Sequence, residues 1–499
     1  MADSILSAYV RALVDCFEDV VRQAPDRTLL VAPGAAVEWS ASDLWAAHVE
    51  YQCLLKAAGL QSGNLLVCAV GNHHGFLPIL LACRSLDVVM MPLDVEASGQ
   101  RAQALSRQYG AAACLTRAGH DCSSAGATLL PGDLVLRRAG VDAVRYPGAA
   151  MLKLTSGTTD TARATRTTEA QLIADGDQII AGQRIEVDQR QMAAIPLEHS
   201  YALGVILLPL LVQGTSFVLR DTFVPRQMLS DVRALEVRRF PGVPFMFEYF
   251  VEHLPSHEWP AGLTHLVSAG APLSPASARI FHDRFGVKIH SYYGATETGG
   301  IAFDDSPDVG VDDAIEVGRP LPGVSVSLRP MAGLPEGCGR VFVESPAVSD
   351  GYIDGDRSLF AGGGFMTGDY GSQDAGGRLT LRGRISSFIN VAGRKVQPDE
   401  VESVLRGMPG VADVRVVGSV DVRRGQQVVA CVVARAGVSP PTAADLRRFC
   451  ASRLPAYKIP RALVLLDAIP LTARGKTDRI ALQQLVQGQY APQTGKEGR

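Results

Sequence analysis

Four stretches of the chain combine residue types and spacings suited to phosphate and carboxylate chemistry. The first is Leu154-Thr-Ser-Gly-Thr-Thr-Asp-Thr-Ala-Arg163, which follows an apolar run and is crowded with hydroxyls and small residues. Such a loop can turn backbone N–H groups and hydroxyls toward phosphate oxygens. A Ser/Thr-rich surface turn has the same composition. Neither G-x-x-x-x-G-K-[ST] nor G-x-G-x-x-G occurs in the sequence. The second stretch is Ser291-Tyr-Tyr-Gly-Ala-Thr-Glu-Thr-Gly299, where Glu297 is a single carboxylate among hydroxyls and glycines. Mg²⁺ is usually bound by one or two carboxylates plus phosphate oxygens, so this composition suits it. The third is Gly368-Asp369 followed by Arg384. A carboxylate can accept both hydroxyls of a ribose, and an arginine can brace the same sugar. The fourth is Pro470-Leu-Thr-Ala-Arg-Gly-Lys-Thr-Asp-Arg479, whose Lys476 stands in a Gly-containing loop. Taken singly, each of these is equally a solvated turn.

Loops of this kind need rigid elements to hold them. Residues 5–23 carry apolar positions at helical spacing and predict an amphipathic helix. Short apolar runs then alternate with helical stretches: Leu65–Val70, Val88–Leu93 and Ala112–Leu115 read as strands. This rhythm persists to about residue 305 and predicts mostly parallel sheets covered by helices. From about 315 the texture changes to short strands between Gly-rich turns, at Val324–Leu328, Gly339–Val343 and Leu379–Arg382, as in a small β-barrel or β-meander. After Arg384 a new α+β unit begins, with helices expected at Asp399–Arg406 and Ala443–Arg453 and strands at Asp413–Val417 and Gln427–Val433. The expected fold class is therefore α/β. A large N-terminal domain, 1–384, carries mostly parallel sheets and a barrel-like part, and a small α+β domain follows over 387–499.

Bulk properties exclude several function classes. The chain has 499 residues, 47% of them apolar and 20% charged, with a net charge of −3. That is ordinary globular composition, with no basic field for nucleic acid and no acidic tail. The nine cysteines are scattered, with no C-x-x-C and no zinc-ligand spacing, which fits reduced thiols in a cytoplasmic protein. Asp15, Glu18 and Asp19 near the start leave no secretory signal pattern. The apolar stretches at 76–93 and 204–213 are interrupted or too short to span a bilayer, and read as buried elements of the core.

In order and spacing, the four stretches resemble the superfamily of acyl-CoA synthetases, peptide-synthetase adenylation domains and luciferases. The family phosphate loop, roughly TSGTTGxPKG, is matched by Thr155-Ser156-Gly157-Thr158-Thr159 and, with a changed cation, Arg163. A Pro-x-x-His acyl-pocket segment is matched by Pro196–His199, and an adenine segment by Ser268-Ala-Gly-Ala-Pro272. YGxTE is matched by Tyr293–Glu297, TGD by Thr367–Asp369, a hinge segment by Gly383-Arg384, and the terminal GK by Gly475-Lys476. The resemblance covers motifs from about 150 to 480 and the layout from the N-terminus. It implies that ATP and Mg²⁺ convert a carboxylic acid into an acyl-AMP, whose acyl group then passes to a thiol.

The same resemblance implies a role for each residue. Lys476 bridges the substrate carboxylate and the α-phosphate, since two anions must meet and positive charge must offset their repulsion. Glu297, next to Thr296, holds Mg²⁺. Asp369 and Arg384 grip the ribose. Gly270, Ala271, Pro272, Tyr293 and Gly294 frame the adenine, and His199 gates the acyl pocket. A hinged C-terminal domain would carry Lys476 away after the first step and bring the segment around Gly393 to line the thiol path.

Two positions depart from the family pattern. Asp160 stands where Gly is usual, and Ser386 where the hinge usually has Asp or Lys. A carboxylate about 4 Å from a phosphate would cost on the order of 4 kcal/mol at an effective dielectric near 20. Asp160 is therefore expected to face away or to pair with Arg163 or Arg166. The segment His199-Ser-Tyr-Ala-Leu-Gly204 lacks the Asp that meets an α-ammonium in amino-acid-activating members. With Val243, Pro244 and Ala269, it suits an aromatic or aliphatic acid. No carrier domain follows residue 480, which implies a free-standing ligase; the expected acceptor is coenzyme A, with a carrier-protein phosphopantetheine or an amine as alternatives. A nucleotide-binding relative without activity is the other alternative. Retention of Lys476, Glu297 and Asp369 argues against it.

Overall fold

The computed structural model describes residues 11–93, 99–119, 127–139, 143–155, 163–310, 315–331, 334–354, 357–385, 388–391, 394–396, 398–421, 425–471 and 477–490. The fold is mixed α/β, with two compact units. One comprises Met1–Ser327, Phe342–Thr367 and Gln373–Thr380; the other comprises Leu328–Val341, Gly368–Ser372 and Leu381–Arg499.

In the first unit the apolar runs form parallel strands because helices cover both of their faces and leave no solvent side for polar residues. All five residues of Leu65–Ala69 and all four of Val89–Pro92 are buried. These two strands pair in parallel with each other; Ala113–Arg117 adds to one side and Met151–Thr155 to the other. Met151–Thr155 then returns antiparallel as Arg163–Thr167, in register Lys153 with Thr165 and Thr155 with Arg163. The helix Phe76–Ser85 is apolar almost all round and is buried accordingly.

A second run of parallel strands places Gln191–Ala193, Arg239–Gly242, His265–Ser268 and Ile289–Ala295 side by side. Their register aligns Gly242 with Ser268 and Ser268 with Ser291, so their carboxyl ends form one edge. Ligands of open α/β sheets bind at such edges. The chain then turns and comes back antiparallel as Gly299–Phe303. The strands expected over 324–382 are present as Ser325–Arg329, Gly339–Glu344 and Leu379–Arg384, with a longer one at Gly364–Gln373. They form an open ribbon. The barrel-like part expected from the Gly-rich turns is not a closed barrel among the described residues.

The second unit shows why its strands alternate. Along Gly425–Ala434, Val428, Ala430 and Val432 join a core with Val401 and Leu405 of the helix Pro398–Arg406 and Leu446 of the helix Ala443–Ala451. Val429 and Cys431 face the other way, onto Leu482 and Val486 of the helix Arg479–Tyr490. One period-2 strand thus serves two apolar layers. None of the eight described cysteines is in a disulfide. No helix among the described residues is long and apolar enough to cross a membrane.

Candidate active site

The helix Glu169–Gln183 is set by a capping box: Thr168 accepts from the Gln171 N–H, and the Gln171 side chain accepts from the Thr168 N–H. Its buried face carries Asp175, whose Oδ1 accepts the Gly300 N–H at 2.8 Å. That bond anchors the turn between Ile289–Ala295 and Gly299–Phe303, which holds Thr296 and Glu297. Gly299 has φ of +69°, and a Cβ there would overlap the Asp175 carboxylate. Both facts demand glycine. Gly299→Ala is expected to cost about 3 kcal/mol, measured as an earlier urea midpoint.

Glu297 is half-buried, and both of its ends are held. Its carbonyl accepts the Ser349 N–H at 2.8 Å, and its Oε1 accepts the Tyr352 hydroxyl at 2.7 Å. Burial, together with the neighbouring Glu297 carboxylate, keeps the Tyr352 phenol far above its usual pKa, so it stays protonated and donates. The Arg163 guanidinium lies over the Tyr352 ring, 5.5 Å from its centroid. Thr165, two residues further along that strand, forms a backbone β-bridge with Tyr352. Cation, phenol and carboxylate thus form one chain from the first sheet to the Glu297 turn. One oriented carboxylate at the edge of the sheet suits a hard cation that takes its other ligands from phosphate and water. Among the described residues no cluster of three or more His, Cys, Asp or Glu forms an all-protein metal site.

Thr155 and Arg163 close the base of the phosphate-loop segment as a register pair, with Thr155 Oγ1 donating to the Arg163 carbonyl at 3.3 Å. Ser156, Gly157, Thr158, Thr159 and Asp160 lie outside the described residues. Arg166 is engaged by Asp350 and by the Pro147 carbonyl. Tyr293 is buried at the carboxyl end of its strand, and Gly294 stands exposed beside it. Gly270, with φ of +80°, and Pro272 are exposed at the end of His265–Ser268, with Ala271 half-buried between them. Gly270, Ala271, Pro272, Tyr293 and Gly294 therefore stand at the carboxyl ends of neighbouring strands of the second sheet, while Thr155 and Arg163 belong to the first.

His199 precedes a helical turn at Ser200–Ala202 and a π-helical segment at Leu203–Leu207, a local irregularity frequent at functional sites. Buried Asn72 fixes the approach to it. Its amide donates to the Ile195 carbonyl at 3.2 Å and the Arg220 carbonyl at 2.8 Å, and its oxygen accepts the Leu197 N–H at 2.8 Å. Tyr201 packs its ring 5.7 Å from that of Tyr292 and donates to the Val267 carbonyl at 3.0 Å. A Cβ on Gly204 would press on Ile179.

In the second unit Arg384 Nε donates to Asp369 Oδ1 at 3.0 Å. Asp369 is mostly buried, its side chain 11% exposed, while the Arg384 side chain is 62% exposed. The structure thus brings together the pair singled out for a sugar. Ser386, Gly393 and Lys476 lie outside the described residues. The residues flanking the lysine segment are tied together: Leu471 bridges to Thr477, and the Asp478 N–H donates to the Pro470 carbonyl at 2.8 Å. Arg415 Nε donates to Thr477 Oγ1 at 2.9 Å.

Tyr352, Asn72 and Asp175, which hold these segments, were not legible in the sequence.

Residues 17–353 match the family described as AMP-binding enzyme, and residues 400–476 match its C-terminal domain. The chain belongs to the AMP-binding enzyme family and is an AMP-forming ligase. It is 29% identical over 443 residues to a feruloyl-CoA synthase of Amycolatopsis sp, covering 85% of this chain and 89% of that one. It is 32% identical over 340 residues to a sulfoacetate–CoA ligase of Cupriavidus necator, covering 67% of this chain and 66% of the relative. Its fold is that of ATP-bound MatB from Rhodopseudomonas palustris, with a TM-score of 0.84 at 23% identity over 96% of this chain and 99% of that one.

Proposed function

We propose that this chain joins a carboxylic acid to coenzyme A in two steps, using ATP. In the first, a carboxylate oxygen of the acid attacks the α-phosphorus, the bond to pyrophosphate breaks, and an acyl-AMP forms. In the second, the thiolate of coenzyme A attacks the acyl carbon and AMP leaves. The observation that carries the reading is the oriented Glu297 carboxylate, held by Tyr352 on the sheet edge where Gly270 and Tyr293 also stand. The CoA-ligase names of the relatives support coenzyme A as the acceptor.

Each residue has a defined task in this scheme. Thr155, Ser156, Gly157, Thr158 and Thr159 hold the phosphates, with Arg163 as the loop's cation. Asp369 and Arg384 hold the ribose, and Gly270, Ala271 and Pro272 border the adenine with Tyr293 and Gly294. Lys476 offsets the two negative charges that must meet. Glu297 is the ligand for Mg²⁺, which when bound neutralises phosphate charge. We assign 1–384 to the catalytic domain and 387–499 to the mobile lid, and take Gly393 to border the thiol path. We place the enzyme in the cytoplasm, where its free thiols stay reduced.

His199, Tyr201, Val243 and Ala269 border the acid, and no carboxylate of the segment 199–204 is offered to an ammonium. Asp175 lies behind Gly204 but is already bonded to Gly300. An aromatic or aliphatic acid without an α-amino group is therefore the substrate class. Pyrophosphate release with ferulic, indoleacetic, oxalic and sulfoacetic acids, followed by mass spectrometry with and without coenzyme A, tests this. Acid-dependent pyrophosphate and a coenzyme A thioester are expected. A product that forms only with an amine or a phosphopantetheinylated carrier protein would reassign the acceptor. No pyrophosphate with any acid would point to a relative without activity.

Tyr352→Phe removes one hydrogen bond to a charged acceptor, a bond of about 1.5–3 kcal/mol. The half-saturating Mg²⁺ concentration is expected to rise by about tenfold, with the ribose grip unchanged, as read by AMP binding in the presence of EDTA.

A further inference from the structure

The segment that leads to His199 is gripped by a residue of the other sheet. After Gln191–Ala193 the chain runs through Ile195 into a turn over Pro196–His199, closed by the His199 N–H on the Pro196 carbonyl at 3.2 Å. Proline has no N–H. The backbone groups that can steer the entry to this turn are therefore the Ile195 carbonyl and the Leu197 N–H, one on either side of Pro196. A single side chain takes both. The Asn72 amide donates to the Ile195 carbonyl at 3.2 Å, and its oxygen accepts the Leu197 N–H at 2.8 Å. The same amide nitrogen donates to the Arg220 carbonyl at 2.8 Å, just beyond the neighbouring strand Phe217–Leu219. Asn72 is 8% exposed and lies in the loop after Leu65–Ala69, a strand of the first sheet. A buried amide whose donors and acceptor are all met by backbone is held in one orientation.

The two sheets are joined a second time, further out. Arg117 Nε donates to the Val70 carbonyl at 2.7 Å, and its guanidinium pairs with Asp221 at 2.9 and 3.1 Å. The Asp221 side chain is 59% exposed, so this pair is a weak fastening. Its bonds run to Val70 and Asp221, outside the turn 196–199.

We propose that Asn72 is a positioning residue for acid recognition: by gripping both sides of Pro196 it aims the Pro196–His199 turn, and with it His199, at the acid. This rests on the assignment of His199 and Tyr201 to the border of the acid. Asn72 touches no substrate in this scheme. Without its amide, the Ile195 carbonyl and the Leu197 N–H lose the partner that gives the turn one direction. The loss falls on the acid, because the residues assigned to the adenine stand on other strands, Gly270, Ala271 and Pro272 after His265–Ser268 and Tyr293 within Ile289–Ala295.

Steady-state pyrophosphate release by the full-length protein tests this, with whichever of ferulic, indoleacetic, oxalic and sulfoacetic acids the unaltered protein accepts. Asn72→Leu keeps the bulk of the side chain and removes its three hydrogen bonds. KM for the acid is expected to rise about tenfold, and KM for ATP to stay within about twofold. Arg117→Met breaks the outer fastening and is the control for loosening alone, with both KM values expected to stay within about twofold. An acid KM raised less than about threefold in Asn72→Leu, an equal rise in both constants, or the same rise in Arg117→Met would overturn the proposal. Should Asn72→Leu not fold, Asn72→Asp decides the matter, since it keeps the acceptor for the Leu197 N–H and loses both donated bonds. A rise in acid KM of at least about threefold, with KM for ATP unchanged, supports the role of Asn72, and a smaller rise overturns it. The unaltered protein is the separate control on the functional reading. If it releases no pyrophosphate with any of these acids, that reading fails and the proposal with it; if it does and the variants match it, only the role of Asn72 fails.

Discussion

Lys476→Ala is expected to lower acyl-AMP formation by about 10²–10³-fold, the usual loss when a preorganised charge or donor is removed from a developing anion. The acid and the α-phosphate are both negative, and their approach is opposed until a cation stands between them. The loss should be confined to the first step. Acyl-adenylate supplied ready-made should still pass its acyl group to coenzyme A within a few-fold of the normal rate. Lys476→Arg should recover only part of the first step, because a planar guanidinium does not place its charge where a compact ammonium does. Equal losses in both half-reactions would mean that the residue serves folding or general binding instead.

Glu297→Gln should bring a comparable loss, about 100-fold in the first step, with a different signature. The amide keeps an acceptor for the Tyr352 hydroxyl but has no charge for a divalent cation. Excess Mg²⁺ should therefore recover little of the activity. Tyr352→Phe, in contrast, should be largely recovered by excess Mg²⁺, since the carboxylate remains. The contrast separates the residue that supplies the charge from the residue that aims it. Stepwise Mg²⁺ titration of acid-dependent pyrophosphate release in both variants measures it.

The two kinds of site residue were unequally legible in the sequence, for a physical reason. Asp369 and Arg384 are 15 residues apart, yet the structure joins them at 3.0 Å. Their types alone fit a solvated turn as well as a sugar site, and it was the order of the motifs, through the family resemblance, that singled them out. Strands and helices were legible wherever one face or both faces are buried. Leu65–Ala69 and the helix Pro398–Arg406 fall within one residue of their expected ends. By contrast, Tyr352 reaches Glu297 across 55 residues, and Asp175 reaches Gly300 across 125. Nothing local in either sequence segment encodes such a contact, since it depends on how helix and sheet pack. The open ribbon in place of a barrel has a similar origin. Short strands with Gly-rich turns set the local hairpins, and closure depends on shear and strand number, which turn residues do not carry.

The central claim is that an oxygen of the acid attacks the α-phosphorus of ATP. Label both carboxylate oxygens of an accepted acid with ¹⁸O, run the full reaction with coenzyme A, and examine the nucleotide and pyrophosphate by mass spectrometry. AMP carrying one ¹⁸O, beside unlabelled pyrophosphate, is the predicted result. Label in inorganic phosphate with ADP as the nucleotide product, or unlabelled AMP, would contradict it.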